Sequence, residues 1–354
     1  MLVFKGGEKL VTYEEFQILN SIYNSMIGRM DVLYENNNFH NELIKNKLLK
    51  KGFIDNDELT AEGMKLLRPY KVDNAIILAA GSATRFVPLS LEQPKGLYEV
   101  KGEKIIERQI KQLKAAGIND ITIVLGYKKE MFFYLQDKYN VKFIFNKEYA
   151  TKNNIHSIYL ARNELKNTYI CSSDDYFVEN PFQKYEYRSF YAGYYENNKT
   201  NEMYVKINKD NKIVGMDKGV TKGNILIGHS FWNKEFSKKF MAYVEEDKEI
   251  GIYNNAFWEW LVKDKLDDMP DFYLKQYASE KIFEFDYFQQ LREFDEKYID
   301  SSHSKIMERI KLVFRCDEED IIDFRNISEG MTNTSFIFKI NNIDYIYRYP
   351  GEGT

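Results

Sequence analysis

Cysteine, proline and long apolar runs are all scarce in this sequence of 354 residues. The two cysteines, Cys171 and Cys316, have no second Cys or His at metal-ligand spacing, so a disulfide framework is excluded and we expect a reducing cytoplasm. No run approaches the roughly 18 apolar residues of a membrane helix, and the first residues lack the order of a signal peptide. With 50 Lys+Arg against 54 Asp+Glu, the formal charge of −4 is not that of a general polyanion binder.

Apolar residues make up 44% of the chain and charged residues 29%, which is enough for folded cores and excludes wholesale disorder. The length predicts two or three domains. Changes in pattern along the chain place them at residues 1–71, 72–300 and 301–354.

The first segment contains three helical stretches and a short hairpin. Thr12 with Glu15 three residues later forms a predicted capping box for the first helix, and further helices are predicted at 41–51 and 61–67. This arrangement resembles a small winged helix-turn-helix domain. Four lysines on the second helix would suit a DNA backbone, but that helix has no Arg to read bases, which disfavours specific DNA binding. A packing or dimerising role stays open.

The middle segment alternates apolar strands with amphipathic helices. The run from Ala75 to Ala80 reads as a buried parallel strand, and further strands are predicted at 121–125, 141–145 and 168–172. Alternation of this kind predicts an open, mostly parallel, Rossmann-like α/β sheet. Strands at 203–207, 212–216 and 226–231 are expected to add an antiparallel part.

A loop of small residues follows the first strand of this segment. Leu78, Ala79, Ala80 and Gly81 lie at the strand's carboxyl end, where open α/β sheets bind ligands. Two cations, Arg85 and Lys95, follow closely and would suit a triphosphate. Neither the Walker motif nor the dinucleotide fingerprint is present. The sequence therefore predicts a nucleotide site, against the simpler alternative of an ordinary turn with two surface cations.

Two pairs of acids are the next candidates. Asp174 and Asp175 end the strand at 168–172, and Glu284 alternates with Asp286 on one face of a short apolar stretch. Carboxylates beside a phosphate loop suit a Mg²⁺ ion that also binds triphosphate oxygens. Either pair alone is more simply explained as a turn cap or a solvated face, but with the loop they form one coherent site.

Residues from about 74 to 290 resemble the bacterial CTP:phosphocholine cytidylyltransferases, within the sugar-phosphate nucleotidyltransferase superfamily. The resemblance rests on the stretches AIILAAG, EQPKGL, GINDITIVLGY, FNKEYATKNNIHSIYLARNEL, TYICSSDDYF, TNEMYV, GHSFW, FWEWLVKD and IFEFD. It implies conversion of CTP and phosphocholine to CDP-choline and pyrophosphate. It also implies that Lys95 binds phosphate, that Asp174 and Asp286 hold Mg²⁺, and that Glu284 lies near the amine of the substrate. Arg85 is expected to assist Lys95 in catalysis.

The sequence departs from this family at the amine end. Met203 stands where the family has a choline-facing tryptophan, and Phe257 stands where it has a tyrosine. Cationic methylammonium groups are bound by aromatic faces and carboxylates, and Tyr204, Trp258 and Trp232 could compensate. An alternative substrate is therefore a smaller phospho-amine or phosphonate, such as phosphoethanolamine or aminoethylphosphonate.

The third segment contains ISEGMTNTSFIFKINNIDYIYRYPG, which resembles the opening hairpin of bacterial choline kinases. No H-x-D-x-x-x-x-N catalytic loop follows it, so we expect a kinase–cytidylyltransferase fusion that is truncated here and has no kinase activity of its own. A neighbouring choline kinase would supply phosphocholine, which favours that substrate.

A regulator is the competing hypothesis from a different class of function. A winged-helix protein could use a former transferase domain to sense nucleotides or choline metabolites. The intact acids and Lys95 argue against it, because sensing alone needs no metal pair. The choice between CTP and UTP and the oligomeric state stay open.

Overall fold

The computed structural model describes residues 11–29, 39–219, 221–327 and 334–349. They divide into two compact units. Residues up to Val72 together with Gln183–Tyr187 form the first, and Asp73–Phe182 together with residues from Arg188 onward form the second. Among the helices described, none has the length and apolar character needed to cross a membrane.

Within the described residues, the first unit is built from three α-helices and a hairpin whose two strands have two residues each. These are α1 (Tyr13–Met26), α2 (Phe39–Lys50), β1 (Ile54–Asp55), β2 (Glu58–Leu59) and α3 (Ala61–Leu67). The predicted capping box is confirmed: the backbone N–H of Glu15 donates to Thr12 Oγ1 over 3.2 Å, and that of Thr12 donates to Glu15 Oε2 over 3.1 Å. The core of this unit includes Tyr187, whose ring stacks on Tyr70 at 4.8 Å between centroids. No sequence pattern predicted that the remote segment 183–187 would belong here.

The second unit contains the remaining elements. Its strands are β3 (Asn74–Ala79), β4 (Glu99–Val100), β5 (Glu103–Lys104), β6 (Ile121–Leu125), β7 (Lys142–Phe145), β8 (Thr168–Ser172), β9 (Asp175–Phe177), β10 (Phe190–Thr200), β11 (Met203–Ile207), β12 (Ile213–Lys218), β13 (Thr221–Trp232), β14 (Tyr273–Gln276), β15 (Ile282–Glu284), β16 (Ile322–Ile327), β17 (Thr334–Ile340) and β18 (Ile343–Tyr349). Its helices are α4 (Ile105–Ala115), α5 (Tyr134–Tyr139), α6 (Asn154–Leu160), α7 (Lys234–Ile250), α8 (Trp258–Asp264), α9 (Phe288–Phe294) and α10 (Lys305–Phe314).

The central sheet has nine strands within the described residues, and the predicted mostly parallel architecture is confirmed. Its main path runs β12-β11-β13-β8-β3-β6-β7, with β10 and β14 joined through β13. Strand β3 pairs in parallel with both β6 and β8, which covers both of its edges, and five of its six residues are buried. Strands β11, β12 and β13 form the expected antiparallel part.

Several elements differ from the sequence-based prediction. Strand β10, eleven residues long, was not predicted, although its aromatic first half is typical of a strand. The helix predicted from Lys128 starts one residue later, because Lys128 adopts the left-handed conformation, and it consists of a 3₁₀ turn at 129–132 followed by α5. Helix α6 ends at Leu160 rather than at 165, and a 3₁₀ turn replaces its last part.

The C-terminal part of the unit packs on the segment that follows the small-residue loop. Val87 and Leu91 share a buried cluster with Ile306 of α10 and with Phe336 and Phe338 of β17. The predicted hairpin of β17 and β18 is confirmed, and β16 pairs with it as a third strand. Residues 328–333, between β16 and β17, lie outside the described residues, as do Pro350 and Gly351.

Candidate active site

A cleft of about 600 Å³ opens at the carboxyl ends of β3 and β8. One wall is the loop after β3, with Leu78, Ala79, Ala80 and Gly81 followed by Arg85. The opposite wall comes from the segment between β7 and α6. Parallel strands direct their carboxyl ends to one edge of a sheet, which explains why these separate segments meet here.

Two glycines permit close backbone approach around the cleft. A Cβ atom on Gly126 would lie 2.6 Å from the Cβ of Tyr149 and 2.7 Å from the carbonyl oxygen of Ala80. A Cβ atom on Gly96 would lie 2.8 Å from the carbonyl oxygen of Ser173. Gly96 therefore allows the turn that carries Lys95 to pack directly against the residues that precede Asp174.

The two acidic pairs are brought together by one short strand pairing. Strand β15 runs antiparallel to β9, with Glu284 opposite Asp175. This register places Asp286 near Asp174, and the side chains of Asp174, Glu284 and Asp286 all line the cleft. Asp175 points elsewhere: it is 1% exposed, and its carboxylate accepts a hydrogen bond from the backbone N–H of Ser172 over 3.3 Å.

Lys95 lies at the centre of this acidic group and is 8% exposed. Its Nζ is 2.8 Å from Asp174 Oδ2 and 3.4 Å from Asp286 Oδ1. Arg85 reaches the same Asp286 Oδ1 over 2.8 Å, and its side chain is largely exposed. The cleft thus presents two cations beside three carboxylates.

Burial and mutual repulsion shift the ionisation of these groups. Burial, with repulsion from Asp174, raises the pKa of Glu284 to about 8, although Lys95 opposes the shift. Burial and the charge of Glu284 also raise the pKa of Asp175 well above its ordinary value. Burial lowers the pKa of Lys95, but the attraction of Asp174, Glu284 and Asp286 outweighs it, and the net shift is upward. Lys95 therefore stays charged.

Asp174 and Asp286 are the carboxylates that could hold a metal ion, since both contact the same Lys95 nitrogen. Mg²⁺ in phosphate-handling sites is commonly bound by one or two carboxylates, with water and substrate phosphates completing its coordination. The donor set fits such an ion. A larger group, of three or more His, Cys, Asp or Glu side chains that could together hold a metal ion, is not found within the described ranges.

The predicted amine-binding aromatics are not gathered at the cleft. Phe257 lines it and is half exposed. Trp232 and Trp258 are 0% and 3% exposed and belong to the hydrophobic core, with ring centroids 5.0 Å apart. Met203 and Tyr204 lie on β11, away from the lining of the cleft, and Met203 packs against the same core.

The wall of the cleft between β7 and α6 was not predicted from the sequence. Its polar lining residues are Asn146, Tyr149, Thr151, Lys152, Asn153, Asn154 and Ser157. Asn146 is buried and donates through Nδ2 to Ser157 Oγ over 3.1 Å, which ties the end of β7 to α6. The sequence did contain a signal for this wall, namely a polar run directly after a parallel strand. Ligands bind at that end of such a sheet, so the run could have been predicted to line the site.

Comparisons with known proteins place the chain in a family. The family described as nucleotidyl transferase matches residues 74–212. The choline-phosphate cytidylyltransferase of Streptococcus pneumoniae is 37% identical over 222 residues, covering 63% of this chain and 96% of that protein. The 2-aminoethylphosphonate cytidylyltransferase of Lancefieldella rimae is 34% identical, covering 64% of this chain and 93% of the relative.

The solved structure of the CTP:phosphocholine cytidylyltransferase from Streptococcus pneumoniae superposes with a TM-score of 0.61 at 38% identity. The match covers 63% of this chain and 98% of that one. The α/β fold with its mostly parallel mixed sheet is thus the nucleotidyltransferase fold. The chain belongs to the nucleotidyl transferase family and is a nucleotidyltransferase of the group that contains these cytidylyltransferases.

Proposed function

We propose that this enzyme transfers a cytidylyl group from CTP to phosphocholine, producing CDP-choline and pyrophosphate. The observation that carries the proposal is the cleft in which Lys95 lies between Asp174 and Asp286, with Glu284 beside them. The identity of 37% across nearly the whole of a choline-phosphate cytidylyltransferase supports the choice of substrates.

The chemistry needs little covalent participation by the protein. A phosphate oxygen of phosphocholine attacks the α-phosphorus of CTP in line, and the bond to the pyrophosphate oxygen breaks. Lys95 and Arg85 would bind the phosphate oxygens and stabilise their developing charge. The backbone from Leu78 to Gly81 would lie against the nucleotide.

Asp174 and Asp286 are the residues that would hold Mg²⁺. When bound, the ion would supply positive charge to the reacting phosphates. The same two carboxylates are neutralised by Lys95 and Arg85 in the structure. Phosphate oxygens would compete for those cations, and the carboxylates would then be available to the metal.

Glu284 is the residue proposed for the cationic end of the substrate. Its pKa of about 8 reflects burial beside other carboxylates, and a bound trimethylammonium would favour its charged form. Phe257, which lines the same cleft, offers an aromatic face to that cation. The amine site was also predicted to include Met203, Tyr204, Trp258 and Trp232. None of these residues lines the cleft, so their role in binding the amine stays a prediction.

The proposal is tested by measuring pyrophosphate release with Mg²⁺ from a matrix of substrates. The nucleotides are CTP, UTP, dTTP and ATP, and the acceptors are phosphocholine, phosphoethanolamine, aminoethylphosphonate and glucose 1-phosphate. We expect release with CTP and phosphocholine above all other pairs. Release with none of the pairs would contradict the proposal.

A primary amine is the second candidate acceptor, and one observation favours it. A 2-aminoethylphosphonate cytidylyltransferase is 34% identical to this chain over 231 residues. A primary ammonium can donate hydrogen bonds to Glu284, whereas a quaternary one cannot. A clear preference for aminoethylphosphonate in the substrate matrix would establish this alternative.

We also propose that the first unit is a winged-helix domain and that the C-terminal part is the start of a choline-kinase-like domain. The order of α1, α2, the β1–β2 hairpin and α3 supports the former. The hairpin of β17 and β18 and the resemblance of its sequence support the latter. If no electrophoretic mobility shift of DNA is seen with this protein even at low salt, a DNA-binding role for the first unit is excluded.

A further inference from the structure

A second cavity, of about 650 Å³, lies between the segment 92–99 and the C-terminal elements of the same unit. Its walls come from that segment, from Lys104, from residues 297–309 and from Tyr347 of β18. Its volume is within the range of small-molecule sites. None of the residues discussed for the catalytic cleft lines it.

The side chains around this cavity carry an excess of positive charge. Four cations line it, and two carboxylates accompany them: Lys104, Lys297, Lys305 and Arg309, against Glu92 and Glu99. The whole chain has a formal charge of −4, so the excess is not a consequence of general composition. Local positive charge of this kind favours an anionic ligand.

Both carboxylates are already engaged. Glu99 pairs with Lys297 over 2.6 Å. Glu92 Oε1 accepts hydrogen bonds from Ser304 Oγ over 3.2 Å and from the backbone N–H of Ile306 over 2.8 Å, which places its charge at the first turn of α10. These contacts fix one wall of the cavity and occupy the negative charges.

Two of the cations make no ion pair among the described residues. They are Lys305 and Arg309, which are exposed and lie one turn apart on the same face of α10. Lys104, on β5, lies opposite Glu99 of β4 and helps to lower the pKa of that carboxylate, and its Nζ is 3.3 Å from the hydroxyl of Tyr134. These side chains converge on one cavity from two separate elements.

We propose that this cavity binds an organic phosphate of nucleotide size through Lys104, Lys305 and Arg309. Guanidinium and ammonium groups bind phosphate oxygens with charge-assisted hydrogen bonds. Tyr347 lines the remaining wall and provides an aromatic surface for the organic part of the ligand, whereas Tyr98 and Tyr298 also line the cavity but are only 5% and 3% exposed. The site is separate from the transferase cleft and does not depend on the reaction proposed there.

The probe is ATP, titrated calorimetrically into the full chain. All proteins in the test carry Arg85→Ala and Lys95→Ala, which remove both cations proposed to contact phosphate oxygens in the catalytic cleft. Lys305→Glu with Arg309→Glu is compared with a control of equal charge change, Lys209→Glu with Lys238→Glu, at exposed positions outside both cavities. Neither Lys305 nor Arg309 makes an ion pair within the described ranges, so both variants should fold, as circular dichroism will show.

We expect the reversal at Lys305 and Arg309 to weaken ATP binding by at least about tenfold, while the control stays within about twofold. Equal affinity in the two variants, or no binding of ATP by the parent protein at millimolar concentration, would overturn the proposal. Inorganic pyrophosphate is titrated in parallel. Binding of pyrophosphate as tight as that of ATP would overturn the assignment to an organic phosphate.

Discussion

Two groups of side chains dominate the interior of the second unit, and different forces hold them together. The charged group is Lys95, Asp174, Glu284 and Asp286, gathered at the sheet edge around one nitrogen atom. The aromatic group surrounds Trp232, whose ring centroid lies 4.5 Å from that of Phe240 and 5.0 Å from that of Trp258. The first group opens to a cleft, and the second is closed to solvent.

The charged group contains the residues proposed for chemistry, whereas the aromatic group stabilises the fold. Three carboxylates in one cleft repel one another, and the raised pKa of Glu284 records the unfavourable energy of keeping them together. Tight aromatic packing has no such penalty and contributes by excluding water. The four charged residues were predicted as site residues, as were Trp232 and Trp258 of the aromatic group, but only the charged residues line the cleft.

Replacing Asp174 should give the largest effect. Asp174→Ala removes a carboxylate proposed to hold Mg²⁺, and we expect the turnover number to fall by about 10⁴, or roughly 5 kcal/mol. The measurement is pyrophosphate release at saturating Mg²⁺. Asp210→Ala, in an exposed turn between β11 and β12, is the control and should leave turnover unchanged. Activity within tenfold of wild type would show that Asp174 is not a principal ligand.

Trp232→Ala should affect stability rather than chemistry. Deleting this fully buried ring and its hydrogen bond from Nε1 to Ser230 Oγ should lower the free energy of unfolding by about 3–5 kcal/mol. Denaturant titration measures the loss, and Trp232→Phe should lose less. The KM for phosphocholine of the folded variant should stay unchanged. A raised KM at unchanged stability would return Trp232 to the substrate site.

Lys95→Ala should lower the turnover number by about 10²–10³, because it removes a charge that stabilises the reacting phosphates. Steady-state kinetics distinguish this role from simple binding. A raised KM with unchanged turnover would make Lys95 a binding residue. Lys95→Arg keeps the charge in a different geometry and should recover part of the loss.

Glu284 should make the stability of the ligand-free enzyme fall as pH rises. Its pKa is about 8 in the folded protein against an ordinary 4.5, so the folded state binds the proton more tightly. The favourable contribution is complete below about pH 4.5 and is lost as pH rises through about 8. Denaturation at several pH values should show a smaller decline for Glu284→Gln. An identical decline in both proteins would contradict the shift.

Substitutions at Phe257 and Met203 should give the smallest effects. They test whether the amine of the substrate lies beside Phe257 in the cleft or beside Met203 on β11. Phe257→Ala removes an aromatic face that lines the cleft, and we expect the KM for phosphocholine to rise by about 3–30-fold. Met203→Ala, at a position that does not line the cleft, should change KM by less than about twofold. The reverse order, measured in the same assay, would place the amine beside β11.

Much of the fold was predictable because its signals are local. The capping box of α1, the strands at 121–125 and 168–172 and the helix at 305–314 follow from periodicity and end-capping residues within a few positions. Strand β10 escaped prediction because its second half is polar and exposed. It is stabilised mainly by pairing with β13 and β14, and no local pattern reports such pairing.

The candidate site was predictable as a set of residue types and only partly as an arrangement. Lys95 and Asp286 are 191 positions apart, and the β9–β15 pairing brings them together. The aromatic residues carried no comparable signal, because an aromatic side chain suits both a hydrophobic core and a cation-binding pocket. Trp232 and Trp258 became core residues through packing that only the complete fold reveals.

By itself, the sequence determined the parallel sheet, the small-residue loop at its edge and the family of the enzyme, because the alternation of strands with helices and the residues of the loop are contiguous. The tertiary structure alone decided which acids meet Lys95, which tryptophans are buried and which cations of α10 and β5 line a second cavity. Those outcomes depend on contacts between segments distant along the chain. Burial and charge at each position follow from these contacts and not from local sequence.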